Sequence, residues 1–256
     1  MERPQRLDWT SYLDTFHSSR PGITEEVLAR AHSTAGLTPY EWIVAPIAAG
    51  VPVLDLACGS GPCVDLRAGE PWVGLDRSKE ELDRARSAGR AQLVRGDATA
   101  LPFRSGSFDA VVCSMALMLI QPLSRVLDEV TRVLRNGGTF AFMMPGRRPL
   151  RAADVVRYAL LVRRLGRWRL QYPNDREVRS LSTLCNERGL EVVDDARERF
   201  RLPLRTTADT DQFVHSLYLP DASRAELDRG LALAARWTGT DIGIPLRRVV
   251  VRKRAR

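Results

Sequence analysis

The sequence predicts an α/β protein built on a doubly wound, mostly parallel seven-stranded sheet. Three observations carry this. Val53-Leu54-Asp55-Leu56-Ala57 is a short, nearly continuous apolar run that breaks into Cys58-Gly59-Ser60-Gly61-Pro62. Such a run suits a parallel strand covered on both faces. Further short apolar runs follow at residues 72–77, 91–98, 108–115 and 139–144, and those at 72–77 and 91–98 end near an acid, Asp76 and Asp97. Helical patterns flank and separate the runs, which is the alternation that builds a parallel sheet.

The elements follow in order. Trp9, Tyr12, Leu13 and Phe16 stand at helical spacing. Ser18-Ser19-Arg20-Pro21-Gly22 breaks that helix, Thr24-Glu25-Glu26 opens a second, and Pro39-Tyr40-Glu41-Trp42 opens a third. The first strand then meets the glycine turn, where Gly59 and Gly61 allow backbone angles closed to other residues. Pro62 fits the first position of a helix. The turn is Gly-x-Gly-Pro, so neither a dinucleotide fingerprint nor a phosphate loop fits. Only 15 positions separate Gly61 from Asp76, so the first crossover helix is expected to be short. Residues 126–135 read as a helix stopped by Asn136-Gly137-Gly138. Residues 152–165 read as an amphipathic helix with Val155, Val156, Ala159, Leu160 and Val162 on its apolar side. Residues 175–188 form the helix before the sixth strand, which opens at residues 190–193. Residues 211–218 and 222–237 are inserted helices, and 248–252 is the last strand. The expected organisation is one domain: a helical segment at 1–50, a core at 51–145, and the rest of the sheet with insertions at 146–256.

Composition narrows the function. The four cysteines form no Cys-x-x-Cys pair and only three histidines are present, so no metal site and no disulfide is expected. No apolar run reaches the ~18 residues needed to span a bilayer. Met1-Glu2-Arg3-Pro4-Gln5-Arg6 lacks a leader's apolar stretch, so a cytoplasmic location is expected. Net charge is +8, divided as −2 over residues 1–145 and +10 over 146–256. Of 39 basic residues only Lys79 and Lys253 are lysine. Such arginine dominance reflects composition more simply than arginine chemistry, and a solvated helical surface accounts for the excess.

The motifs Asp55-Leu56-Ala57-Cys58-Gly59-Ser60-Gly61, Val73-Gly74-Leu75-Asp76, Gly96-Asp97-Ala98-Thr99-Ala100-Leu101-Pro102-Phe103 and Leu134-Arg135-Asn136-Gly137-Gly138 occur in that order. Together they resemble the class I S-adenosylmethionine-dependent methyltransferases, a Rossmann-like fold. The resemblance is closest to small-molecule enzymes of the ubiquinone/menaquinone-biosynthesis type and covers about residues 50–145. It implies S-adenosylmethionine as cofactor, bound by the core at 51–145, with the helical segment 1–50 as a lid over it and the insertions of 146–256 as a substrate cover. Gly59, Ser60 and Gly61 would leave room for its methionine part, and Asp55 would face its amino group. Asp76 would take the ribose hydroxyls, with Arg77 along the adenosine edge. Asp97 would accept from the adenine amino group, with the Ala98 N–H on the ring. Ser114 and Met115 would meet the methionine part and the acceptor.

The implied reaction is methyl transfer to a small, mostly apolar or anionic molecule, largely by alignment. A hydroxyl nucleophile would need a base. His17 is the first candidate and His215 the second, with Tyr12, Tyr172 and Tyr218 as pocket-lining donors. Residues 1–20, 146–172 and 205–237 are expected to cover the methyl site. Two rivals stand beside this reading. An RNA methyltransferase would use the basic C-terminal part, but Cys113-Ser114-Met115-Ala116 lacks the signature for exocyclic base amines, which disfavours nucleic acid. A non-catalytic cofactor-binding module would keep the acids without turnover.

Overall fold

A computed structural model describes residues 8–67 and 69–255. The N-terminal residues 1–7, and the expectations about a leader and the start of the lid, lie outside the described residues. Seven strands form one sheet in the order β3-β2-β1-β4-β5-β7-β6. They are β1 (Val53–Leu56), β2 (Trp72–Asp76), β3 (Leu93–Arg95), β4 (Phe108–Ser114), β5 (Leu134–Pro145), β6 (Leu190–Leu204) and β7 (Thr240–Lys253). The first five pair in parallel, and β7 alone runs antiparallel to both of its neighbours.

Alternation along each strand feeds two apolar layers. On β4, Val111 and Cys113 face one layer, while Ala110 and Val112 face the other. The first layer holds α6 (Leu123–Val133), whose Val126, Leu127, Val130 and Val133 are buried. It also takes Phe16 of α1 (Trp9–Ser19) and Ile23 of α2 (Ile23–Leu28). The second layer holds α3 (Pro39–Val44), opened by Pro39 and a reciprocal Thr38–Glu41 capping box. The first crossover helix, α4 (Pro62–Asp65), is as short as the spacing requires.

Three expectations are corrected. The helix before β5 ends at Val133, not at the glycines, because Leu134 already pairs with Phe108 on β4. The span 175–188 is not one helix but a 3-10 turn (Glu177–Ser180) followed by a short α-helix (Leu181–Asn186). The long helix Ala152–Arg164 turns its valines outward: Val155 and Val156 are about half exposed, and Asp154 and Leu161 are its buried residues. Asp154 is held by both guanidinium arms of Arg199 at 2.7 and 3.0 Å and by the N–H of Gly243 at 2.8 Å. That ion pair, more than apolar periodicity, sets the rotation of the helix.

Candidate active site at the strand switch point

The crossover from β1 leads to β2, whereas that from β4 leads to β5 on the other side, so the sheet reverses direction between β1 and β4. A crevice beyond the strand ends follows from that topology. A cavity lies there, walled by the ends of β1, β2 and β4 and by α1. Ala57 and Met115 follow the two strands with φ of 54° and 58°, a region costly for residues with a Cβ, roughly 1 kcal/mol or more each. Both line the cavity. The Met115 N–H donates to the Met143 carbonyl at 2.8 Å, which fixes one of these bends.

Asp55 is the cavity's most informative group. It is buried to 1% exposure, and neither carboxylate oxygen has a hydrogen-bond partner. Burial, with the nearby Asp76 charge adding, pushes its carboxyl up to about 8, against a pull downward from Arg90. A buried acid without a partner is costly. Here it faces a cavity, so a cationic ligand group would supply what the protein withholds. Ser114 Oγ is likewise buried and unpartnered on the same wall.

Asp76 ends β2. Its Oδ2 accepts from the Gly59 N–H at 2.8 Å and its Oδ1 from the Ser78 N–H at 2.9 Å. Burial raises its carboxyl, and these two bonds and His17 oppose the rise. The contact with Gly59 ties the acid to the glycine turn. Each oxygen keeps a further lone pair for a ligand hydroxyl. Asp97 is exposed, and its Oδ1 accepts from the Thr99 N–H and hydroxyl, both at 2.8 Å. Ala98 is buried beside it. Arg77 pairs with Asp14 of α1 at 3.0 Å, a half-exposed contact of small energy.

The lid contributes His17. Its Nδ1 lies 2.9 Å from Glu81 Oε1, while Glu81 Oε2 accepts from the Gly22 N–H at 2.9 Å. Glu81 is buried and thus holds α1 and the start of α2 over the site. The cavity therefore brings together His17, Asp55, Gly59, Ser60, Asp76, Arg77, Asp97, Ala98, Ser114 and Met115. Four predicted residues stay outside its wall: His215, Gly61, Tyr12 and Tyr172. His215 is half-buried, with Nδ1 at 2.9 Å from the Asp211 carbonyl. Gly61 packs away from the cavity: a Cβ there would meet Arg90 Cδ at 3.2 Å and Ala85 Cβ at 3.9 Å. The glycine is required by its φ of 82° and by Arg90, not by ligand space.

Gly61→Val should therefore destabilise the fold by about 2–3 kcal/mol. Urea unfolding measures it. A variant as stable as the parent would show that the turn adopts another conformation.

The cover is also narrower than expected. Tyr218 is the residue from 205–237 on the cavity wall, and none from 146–172 reaches it. Tyr172 stands behind Tyr218 at 6.5 Å between ring centroids, and Phe213 packs on Tyr158 in the other apolar layer. Tyr12 accepts from the Leu219 N–H at 2.8 Å and so braces α1 against the segment that carries Tyr218.

Sequence reasoning missed Glu81, Glu25 and Arg90. Glu81 stands in Ser78-Lys79-Glu80-Glu81, which reads as a capping box, but its carboxylate has turned to His17 and Gly22. Arg90 is largely buried and joins Glu25 at 2.8 Å, Asp65 and the Ser60 carbonyl. Glu25 also accepts from the Ser60 hydroxyl. This cluster clamps the glycine turn to α2, and the chain's many other arginines hide it in the sequence.

Residues 54–142 match the family described as the methyltransferase domain. A demethylmenaquinone methyltransferase of Clavibacter sepedonicus is 44% identical over 101 residues, 37% of this chain and 41% of that protein. A protein of Encephalitozoon cuniculi, named provisionally as a methyltransferase, is 32% identical over 168 residues, 57% of this chain and 73% of that one. A Bacillus halodurans structure, also named provisionally as a methyltransferase, shares the fold with a TM-score of 0.53 at 18% identity, over 85% of this chain and 99% of that one. The chain spans about half the length of the first curated relatives it matches. With the switch-point cavity, its strand-end acids Asp55, Asp76 and Asp97 and these matches together, the chain belongs to the methyltransferase-domain family.

Proposed function

We propose that this chain catalyses S-adenosylmethionine-dependent methyl transfer to a small organic acceptor. The observation that carries the reading is Asp55, a buried carboxylate with no partner, facing the cavity at the switch point. It fits the ammonium of the cofactor's methionine part. Asp76 fits the ribose hydroxyls, through charge-assisted bonds that are stronger than neutral ones. Asp97 Oδ2 and the Ala98 N–H suit the adenine edge. When bound, S-adenosylmethionine supplies a methyl group already activated on a sulfonium.

The protein's own part is to hold, orient and exclude water. Leu13, Leu119, Ile120, Met115 and Tyr218 give the cavity an apolar wall, which suits an apolar acceptor. The name demethylmenaquinone methyltransferase, carried by relatives, offers one acceptor class to test first. His17 serves as base for a hydroxyl nucleophile. Its Nδ1–H donates to Glu81, which fixes the tautomer that leaves Nε2 as the acceptor.

Asp76→Ala should cut cofactor affinity roughly ten- to a hundredfold, from the loss of about 1.5–3 kcal/mol. Calorimetry on the folded variant measures it, and unchanged affinity would remove the ribose assignment. Turnover is tested with methyl-labelled S-adenosylmethionine and, in parallel, a small-molecule extract and the total RNA of the source cell. Label should enter a small molecule with the parent chain and, at cofactor concentrations below saturation, much more slowly with Asp76→Ala. Label in RNA would replace this reading with the nucleic-acid one. Tight binding with no labelled product would replace it with the non-catalytic module.

A further inference from the structure

The helix Ala152–Arg164 presents an apolar face that nothing in the described chain covers. Val155 is 52% exposed, Val156 56% and Leu160 44%, and Ala152 and Ala159 are exposed with them. The face is fixed outward, because the buried Asp154–Arg199 ion pair anchors the opposite side of the helix. Rotating the valines inward would drag Asp154 into solvent and leave Arg199, 12% exposed, with only the weaker Asp241 contact at 3.4 Å. Trp168, four residues past the helix end, is fully exposed.

The charge carried by the segment itself is almost all of one sign; the acids beside it, Glu226 near Gly166 and Asp175 opposite Arg169, lie past the C-terminal end of the helix. Between Arg147 and Arg169 stand eight arginines and a single acid, Asp154, which is buried. Arg147, Arg148, Arg151, Arg163 and Arg164 are all exposed. Among the described residues, none of these five side chains forms an ion pair; Arg151 meets Asp154 only through its main-chain N–H. The five flank the apolar face at both ends of the helix. An apolar face bordered by arginine, with an exposed tryptophan, has the chemistry of a helix lying in a bilayer interface. A second copy of the chain fits poorly, since a two-fold contact would set arginine against arginine. No described helix is long and apolar enough to cross a membrane, so the contact would be with the surface.

We infer that Ala152–Arg164 and the arginines beside it dock this protein on an anionic lipid surface. The inference stands apart from the methyl-transfer reading, since it uses no residue of the cavity. Aliphatic side chains enter the acyl boundary while guanidinium groups meet lipid phosphates. Both contributions are required, because one short apolar patch or a few arginines alone gives weak, reversible binding.

The full chain is sedimented with vesicles of phosphatidylcholine mixed with phosphatidylglycerol, and with phosphatidylcholine alone. It should partition to the mixed vesicles and much less to the neutral ones, and added salt should weaken the binding. Val156→Glu with Leu160→Glu should lower partitioning roughly tenfold or more, and Arg163→Glu with Arg164→Glu should do likewise. All four positions are exposed, so thermal melting should be unchanged and cofactor affinity retained. The inference is overturned if mixed vesicles fail to bind, if neutral vesicles bind equally, or if either double variant binds as the parent does. It is also overturned if the parent is a dimer that Val156→Glu disperses while vesicles do not bind, because the face would then join copies.

Discussion

Asp55→Asn should make the ligand-free protein more stable at alkaline pH and should flatten its stability profile. The carboxyl is raised to about 8 in the folded chain, against roughly 3.9 when unfolded. Its contribution is therefore fully present below the unfolded value and is lost as pH climbs through the folded one. Groups with lowered values act in the opposite sense at the acid end. Asp154, for example, is held at about 2 by Arg199 and two backbone N–H groups, despite its burial. Those contributions are complete above about pH 5, so the decline between pH 5 and 9 belongs to Asp55, with Asp76 adding to it. After allowing for water in the open cavity, the variant should gain about 2–3 kcal/mol at pH 9 over its standing at pH 5.5. Urea unfolding at both values measures this. Parallel profiles would mean that Asp55 is not an unpaired buried acid.

Arg90→Ala should give the largest loss. The side chain is 7% exposed and joins Glu25, Asp65 and the Ser60 carbonyl. Removing it leaves Glu25 half-buried without its main partner. Breaking a buried pair from one side costs about 3–5 kcal/mol; the exposed Asp65 end lowers the expected figure to about 2–4 kcal/mol. The glycine turn would also lose its clamp, so cofactor affinity should fall with stability. Arg90→Lys should recover only part of both, because one ammonium cannot reproduce a fork that spans three partners. Full recovery by lysine, in unfolding and in calorimetry, would reduce the clamp to a simple charge contact.

Legibility in the sequence followed the range of the interactions. The strands, the turn and the short α4 were readable, because apolar runs, glycine and proline act over a few residues. The cavity acids Asp55, Asp76 and Asp97 were readable because each stands at or near a strand end, and strand ends are where a doubly wound sheet binds ligands. The Glu81–His17 and Arg90–Glu25 contacts were not readable, since each joins residues about 65 positions apart. In both cases a stronger local pattern, a capping box or a surface arginine, offered a sufficient explanation. The face of Ala152–Arg164 failed for a related reason. Periodicity places its valines together, but only the long-range Asp154–Arg199 pair decides that they point outward. His215 was chosen for residue type within an inserted helix, and the rotation of that helix places it away from the cavity.

The central claim is that the Asp55 carboxylate receives a cationic group of S-adenosylmethionine in the switch-point cavity. Calorimetric titration of S-adenosylmethionine into the full chain at pH 7, repeated in two buffers of different ionisation enthalpy, tests it most directly. Asp55 is mostly protonated at that pH without ligand, since its carboxyl stands at about 8. A bound ammonium favours the carboxylate and expels the proton to the buffer. The account predicts binding with one cofactor per chain and a heat that differs between the two buffers by most of one proton. Absence of binding, or equal heats in the two buffers, would contradict it.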